Sequence, residues 1–159
     1  MSEDRTTLLD RMRYTKNTAS SRMALLAIVF DVLFFISLYK SDVGTYYYTA
    51  LIGASIIYNL VFMLVAFLCS EGVKNYKPTY SWAMIVLGII QIVRIFIIPV
   101  NAHSAQVSGQ PVMGDAQFIR MIIYLTASAA CLFAGAVVNT KKSRALSRHI
   151  SSLEAGKAA

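Results

Sequence analysis

Apolar residues gather in four long blocks, about Met23 to Tyr39, Tyr47 to Cys69, Trp82 to Val100 and Ala116 to Val138, and polar residues cluster between them. An α-helix advances ~1.5 Å per residue, so about 20 predominantly apolar residues cross the hydrocarbon core of a bilayer. Each block reaches that length, the first by a narrow margin. A soluble protein with four such helices would have too few residues left for a wetted exterior. The pattern therefore predicts an all-α, polytopic membrane protein whose four transmembrane helices form a compact bundle. Three divisions follow: a basic amphipathic segment over 1–21, the transmembrane domain over 22–139, and a basic tail over 140–159. A secretory signal is the competing reading of the first block. A polar stretch precedes that block, and Lys40-Ser41-Asp42 follows it with no small-x-small cleavage pattern, so an uncleaved signal anchor fits better.

Composition sharpens the picture. Of 159 residues 57% are hydrophobic and 14% charged, where a soluble domain carries about a quarter charged residues. The missing charges are the ones that would have formed a water-facing surface. Those present are unevenly placed. Arg5, Arg11, Arg13, Lys16 and Arg22 precede the first block, Lys74 and Lys77 lie between the second and third, and Lys141, Lys142, Arg144, Arg148 and Lys157 follow the fourth. The first connection has only Lys40, and the third, Asn101 to Asp115, has neither Lys nor Arg. Basic loops stay on the cytoplasmic side, which predicts both termini inside and a plasma (cytoplasmic) membrane location. The net charge of +7 then serves anionic headgroups at both termini. Nucleic acid is not expected as a partner, because the aromatic-and-basic repeats that bind single strands are missing.

Several features refine this frame. Tyr46, Tyr47, Tyr48, Tyr80 and Trp82 stand at helix starts, where amphipathic rings anchor at the headgroup level. Pro78 precedes the third helix and Pro99 is expected to close it. Leu8, Leu9 and Met12 suggest a surface helix within Ser2 to Thr18. Leu146, Ile150 and Leu153 recur at helical spacing in the tail, which fits an interfacial helix, a docking helix or a loosely ordered basic tail. Val107 to Val112 suits a turn or small hairpin around Ser108-Gly109-Gln110. Ala127, Ser128, Ala129, Ala130, Ala134, Gly135 and Ala136 make the fourth helix small-sided, a surface suited to a partner or a second copy. Ile56-Ile57-Tyr58 echoes Ile122-Ile123-Tyr124, a faint sign of two tandem helical hairpins.

Candidate chemistry lies inside the blocks. A charge at the centre of a spanning helix costs about 2.5–3.5 kcal/mol, so it needs a reason. Asp31 in the first helix and Arg94 in the third fall within about one helical turn of each other in depth, and an ion pair is expected. Gln91 shares a face with Arg94, and Asn59 completes a midplane polar cluster of Asp31, Asn59, Gln91 and Arg94. Asp115 and Arg120 form a candidate charge pair at the outer end, and Glu71 lies within reach of local lysines. The cluster reads either as interhelical glue or as an ion or proton site. A carboxylate already held by a guanidinium is a poor proton carrier, which favours glue.

Catalytic chemistry is not indicated. His103 and His149 fall on opposite sides of the bilayer, and no HExxH, paired-carboxylate or Gly-rich phosphate motif occurs. Cys69 and Cys131 lie in apolar blocks outside any CxxC or Cys/His cluster, and read as small hydrophobes. No catalytic residue, metal or cofactor is expected. Three functions follow in order of fit. The first is a noncatalytic accessory or stabilising subunit of a larger membrane complex such as a transporter. Next comes a small homo-oligomeric transporter or channel using the midplane cluster, and last a membrane enzyme using His103 with Asp115. The expected partners are the lipid bilayer and other membrane subunits or a second copy.

Overall fold

The computed structural model describes residues 17–39, 46–107 and 110–158. The expected surface segment up to Lys16, the connection Lys40-Ser41-Asp42 and the Ser108-Gly109 tip lie outside the described residues. So do the rings of Tyr46, Tyr47 and Tyr48 and the His149 side chain.

Helix α1 spans Thr18–Tyr39 and starts five residues ahead of the expected Met23. Asn17 makes the early start possible. Its Oδ1 accepts the Ser20 amide at 3.4 Å, a side-chain cap for a donor that the helix itself leaves unpaired. Helix α2 spans Tyr46–Lys74. Its end is closed by the Asn75 and Tyr76 amides, which donate to Gly72 O and Val73 O at 3.2 and 3.1 Å. Tyr76 then takes φ 57°, the left-handed step that commonly terminates a helix, and the chain reverses within four residues into α3, Thr79–Ile95.

Pro99 does not close the third crossing. The helix runs on through a π-helical segment, Phe96–Val100, and a last turn, Asn101–Ser104. Proline lacks an N–H and its ring crowds the carbonyl four residues back; widening the helix locally relieves both problems. Asn101 Nδ2 donates back to Ile97 O at 3.0 Å, and the Ser104 hydroxyl to Val100 O. The two side chains thus add hydrogen bonds to carbonyls on either side of Pro99.

In the connection that follows, β1 (Gln106–Val107) and β2 (Gln110–Pro111) form a two-residue antiparallel pair, Gln106 opposite Pro111 and Val107 opposite Gln110. Helix α4 then spans Asp115–Ala158, 44 residues. It is unbroken past the expected end at Val138, so the basic tail is the continuation of a spanning helix. A helix that crosses the bilayer and continues without a break cannot also lie flat along its surface.

In cross-section the neighbours are α1–α2, α2–α3, α3–α4 and α4–α1, the α2–α3 seam being the thinnest. Two apolar layers fill the interior. One, toward the end that carries Asn17 and Asn139, contains Ala24, Ala27, Phe62, Ala66, Met84 and Leu132. The other, toward the β1–β2 connection, contains Phe34, Leu38, Ile98, Met113, Met121 and Leu125. These ends are termed proximal and distal below.

The outward faces are apolar as well: Leu25, Val29 and Ile36 on α1, Ile57, Leu60 and Leu64 on α2, Val86, Ile89 and Val93 on α3, and Ile119 and Ile123 on α4. Large apolar side chains turned outward along whole helices have no place in water. All four helices are long and apolar enough to cross a membrane, and the chain is a multi-pass membrane protein by that measure.

The small-sided stretch of α4 is spent inside the fold. Ser128, Ala129, Gly135 and Ala136 are buried, and only Ala130 and Ala134 of that set are exposed. A Cβ on Gly135 would stand 2.5 Å from Met84 Cε, 3.2 Å from Met23 Cβ and 3.3 Å from Ser20 O. Here α1 and α4 approach closely, and the Ser20 hydroxyl donates to Gly135 O across the gap. The small face expected to receive a partner instead receives α1 and α3.

Candidate functional site

Between the two apolar layers lies a polar one. Asp31 on α1 is fully buried and Arg94 on α3 nearly so. Arg94 Nη1 donates to Asp31 Oδ1 at 2.8 Å, and Nη2 donates to Ser55 Oγ on α2 at 2.6 Å. The guanidinium also lies over two rings, 4.4 Å from the centroid of Phe34 and 4.5 Å from that of Tyr58. Such stacking strengthens where water is excluded. Gln91, one turn before Arg94, donates from Nε2 to the same Asp31 oxygen at 2.9 Å and to Ser128 Oγ on α4 at 3.2 Å. Ser128 in turn donates to Ala27 O at 3.0 Å. One carboxylate oxygen thus gathers donors from α3, and the two serines extend the network to α2 and α4. Every helix contributes a side chain.

Asn59 stands apart. Both of its polar atoms are buried and neither finds a hydrogen-bond partner; the same holds for Asp31 Oδ2, Gln91 Oε1 and the Tyr58 hydroxyl. Asp31 and Asn59 line a cavity of about 60 Å³ between α1 and α2, with Val32, Phe35, Ile56, Leu60 and Met63. Unpaired polar atoms in hydrocarbon are costly because no water reaches them. The sequence cluster is therefore split: Asp31, Gln91 and Arg94 are bonded together, while Asn59 only shares the cavity.

Asp115 and Arg120 do not pair among the described residues. Five residues apart on one helix, they are turned about 140° from each other at 3.6 residues per turn. Asp115 Oδ1 instead stands 3.8 Å from His103 Nε2. The His103 ring stacks on Phe118 at 4.3 Å between centroids, and its Nδ1 donates to Met113 O at 3.3 Å. The imidazole thus joins the last turn of the third crossing to the start of α4. Glu71 accepts from Lys74 Nζ, one turn along α2. Among the described residues no group of three or more His, Cys, Asp and Glu side chains is placed to hold a metal ion.

A second polar network, at the proximal end, escaped sequence reasoning. Asn139 Nδ2 donates to Lys77 O at 3.0 Å and to Ser81 Oγ at 2.7 Å, while its Oδ1 accepts from Asn17 Nδ2 at 3.0 Å. The Asn17 amide donates to Lys74 O at 3.3 Å, and the hydroxyls of Ser21 and Ser70 share a hydrogen bond of 2.7 Å. Asn17, Ser21, Ser70, Ser81 and Asn139 are all buried. The available signal was polar residues falling just inside or beside helix ends, a place where water usually satisfies them.

Comparison with models of known protein families, with curated proteins and with solved structures finds no match for this chain.

Proposed function

We propose that this protein is a noncatalytic accessory subunit that stabilises a larger membrane assembly. In this reading the four helices form a compact bundle in the plasma membrane, with both basic ends in the cytoplasm and anionic headgroups around them. The observation that carries the reading is the closure of the Arg94 site. Its guanidinium is bonded at both terminal nitrogens and lies against two aromatic rings. Asp31 is held by both Arg94 and Gln91. A charge pair so enclosed fixes helix neighbours and register, and offers little to a passing ion. The exposed apolar faces of α1, α2 and α3 leave ample surface for neighbouring subunits within the bilayer.

Purification in mild detergent tests the assembly: a complex larger than the monomer with a stoichiometric second protein is expected, and a lone monomer would refute it. Reagents that do not cross the membrane should leave tags on both termini unlabelled in intact cells. Labelling of either end would overturn the orientation.

A second reading, a small homo-oligomeric transporter or channel, draws on the cavity where Asp31 Oδ2 and Asn59 have no protein partner. It requires that flux into liposomes fall when Asp31→Asn removes the charge. Unchanged flux would exclude this path.

A further inference from the structure

We propose that the part of α4 projecting beyond the membrane is a docking site for a short acidic amphipathic segment of a partner protein. This rests on the accessory-subunit reading and adds a docking surface outside the bilayer to the apolar faces within it.

The groove comes first. Ser143, Leu146, Ser147, Ile150 and Ser151 recur at helical spacing along one face of α4, and with Pro78 from the α2–α3 turn they line an open groove of about 410 Å³. Leu146 and Ile150, one turn apart, are half-buried and form its apolar floor. Lys142 and Arg144 adjoin Ser143 and are rotated about 100° to either side of it, so cations border both sides of the stripe. Lys141, Lys142, Arg144 and Arg148 are exposed, and none of them forms an ion pair among the described residues. The sequence from Thr140 to Ser151 contains no Asp or Glu, and Glu154 lies one turn beyond Ile150. The stripe is therefore about two helical turns long. An apolar floor with basic borders is complementary to two turns of helix with apolar anchors and acidic flanks.

Depth separates a protein partner from lipid. Taking Val138 as the edge of the apolar span, Leu146 to Ser151 lie roughly 12–20 Å further along an unbroken helix at ~1.5 Å per residue. The headgroup region adds only about 5–8 Å on each side of the hydrocarbon. Lys141 and Lys142 fall within reach of headgroups, whereas the apolar stripe stands past them in water. An apolar stripe in water on a rigid helix is a surface for a protein.

The test uses the full chain in nanodiscs of neutral lipid and two synthetic helical peptides with the same leucine stripe, one flanked by Glu and the other by Lys. The acidic peptide should bind saturably and release as salt is raised. Binding should weaken on the order of tenfold or more with Ile150→Ser, and likewise with the Lys142→Glu/Arg144→Glu double substitution. Equal binding of both peptides, no binding of the acidic one, or indifference to these substitutions would overturn the proposal. A Ser151→Cys fluorophore, in a chain with Cys69→Ala and Cys131→Ala, supplies an independent readout. Quenching by a headgroup-attached quencher would show that the stripe lies on lipid and would also overturn it. Peptide binding reads the groove alone and co-purification reads the assembly, so the two proposals fail separately.

Discussion

Removing Arg94 should cost far more than removing an ordinary interhelical contact. In Arg94→Leu the Asp31 carboxylate keeps only its bond from Gln91 and sits fully buried between two apolar layers. Leaving one member of a buried pair behind costs about 3–5 kcal/mol. The loss of the Ser55 bond and of the stacking on Phe34 and Tyr58 adds to this, at about 0.5–2 kcal/mol for each ring. Asp31→Leu strands the guanidinium with Ser55 and the rings, and a loss of the same order is expected. In the double variant no charge remains. The residual defect is then a Ser55 hydroxyl without its donor and a Gln91 left with Ser128, about 1–3 kcal/mol, together with the ring stacking that Arg94→Leu already removes. The stacking loss is common to Arg94→Leu and the double variant and cancels in the cycle, so the coupling should be at least about 3 kcal/mol, with the double variant more stable than Arg94→Leu alone. Reversible unfolding in mixed micelles, titrated with a denaturing detergent, gives the three free energies.

Two results would refute this account. One is additivity within about 0.5 kcal/mol, the behaviour of independent sites. The other is a coupling near 0.6 kcal/mol, the average for membrane interhelical hydrogen bonds, which arises because separated helices also find partners in the membrane. Either would mean that the charges are solvated or re-paired when the helices part, and that the closed geometry around Arg94 does not set helix register.

The same unfolding assay separates the glycines. Gly135→Ala should destabilise by about 1–3 kcal/mol through overpacking against Met84, Met23 and Ser20. Gly53→Ala meets no atom within 4 Å and should be neutral or stabilising, because alanine loses less entropy in a helix; equal losses at both sites would contradict the packing described. Asn139→Ala leaves the Lys77 carbonyl, Ser81 and Asn17 short of a partner, and about 2–3 kcal/mol is expected. Asn17→Ala added to Asn139→Ala should cost less than the sum, since the two side chains share a bond; full additivity would place them in separate networks. His103→Ala removes the stack on Phe118 and the bond to Met113 O. It should speed amide hydrogen exchange at Met113 to Phe118 without altering α2, and uniform acceleration across the chain would show that the distal join is not local.

What could be read from the chain, and what could not, divides along one physical line. The four crossings were legible because hydrocarbon imposes a length and a composition on any helix that spans it. The proximity of Asp31 and Arg94 could be anticipated because a charge in that medium needs a counter-charge at its own depth. Neither inference requires knowing how the helices face one another. Features that depend on facing were hidden. Ser55 and Ser128 are indistinguishable in sequence from the serines of any membrane helix, yet they carry the polar layer to α2 and α4. Asn59 resembled its neighbours in depth but has no bonded partner in the cluster. The small side of α4 suggested an outer surface because composition does not say which face turns inward, and Gly135 shows that it is used against α1.

Helix ends were misplaced for a related reason. Start and stop rules assume that terminal polar groups meet water or a side-chain cap. Here Asn17 caps α1 through the Ser20 amide, so α1 begins early, and Asn139, just past Val138, is buried and bonded to Asn17, Lys77 and Ser81 rather than to water. Pro99 is expected to end the third crossing because the rule counts only the amide it removes, whereas a π-helical segment carries the helix past it and the Asn101 side chain and Ser104 hydroxyl add bonds to the carbonyls on either side. In each case a local rule yielded to a partner from elsewhere in the fold or from the next turn. Medium and depth fix which residues must be buried together, and the long-range polar bonds then decide where each helix stops and which neighbour it keeps.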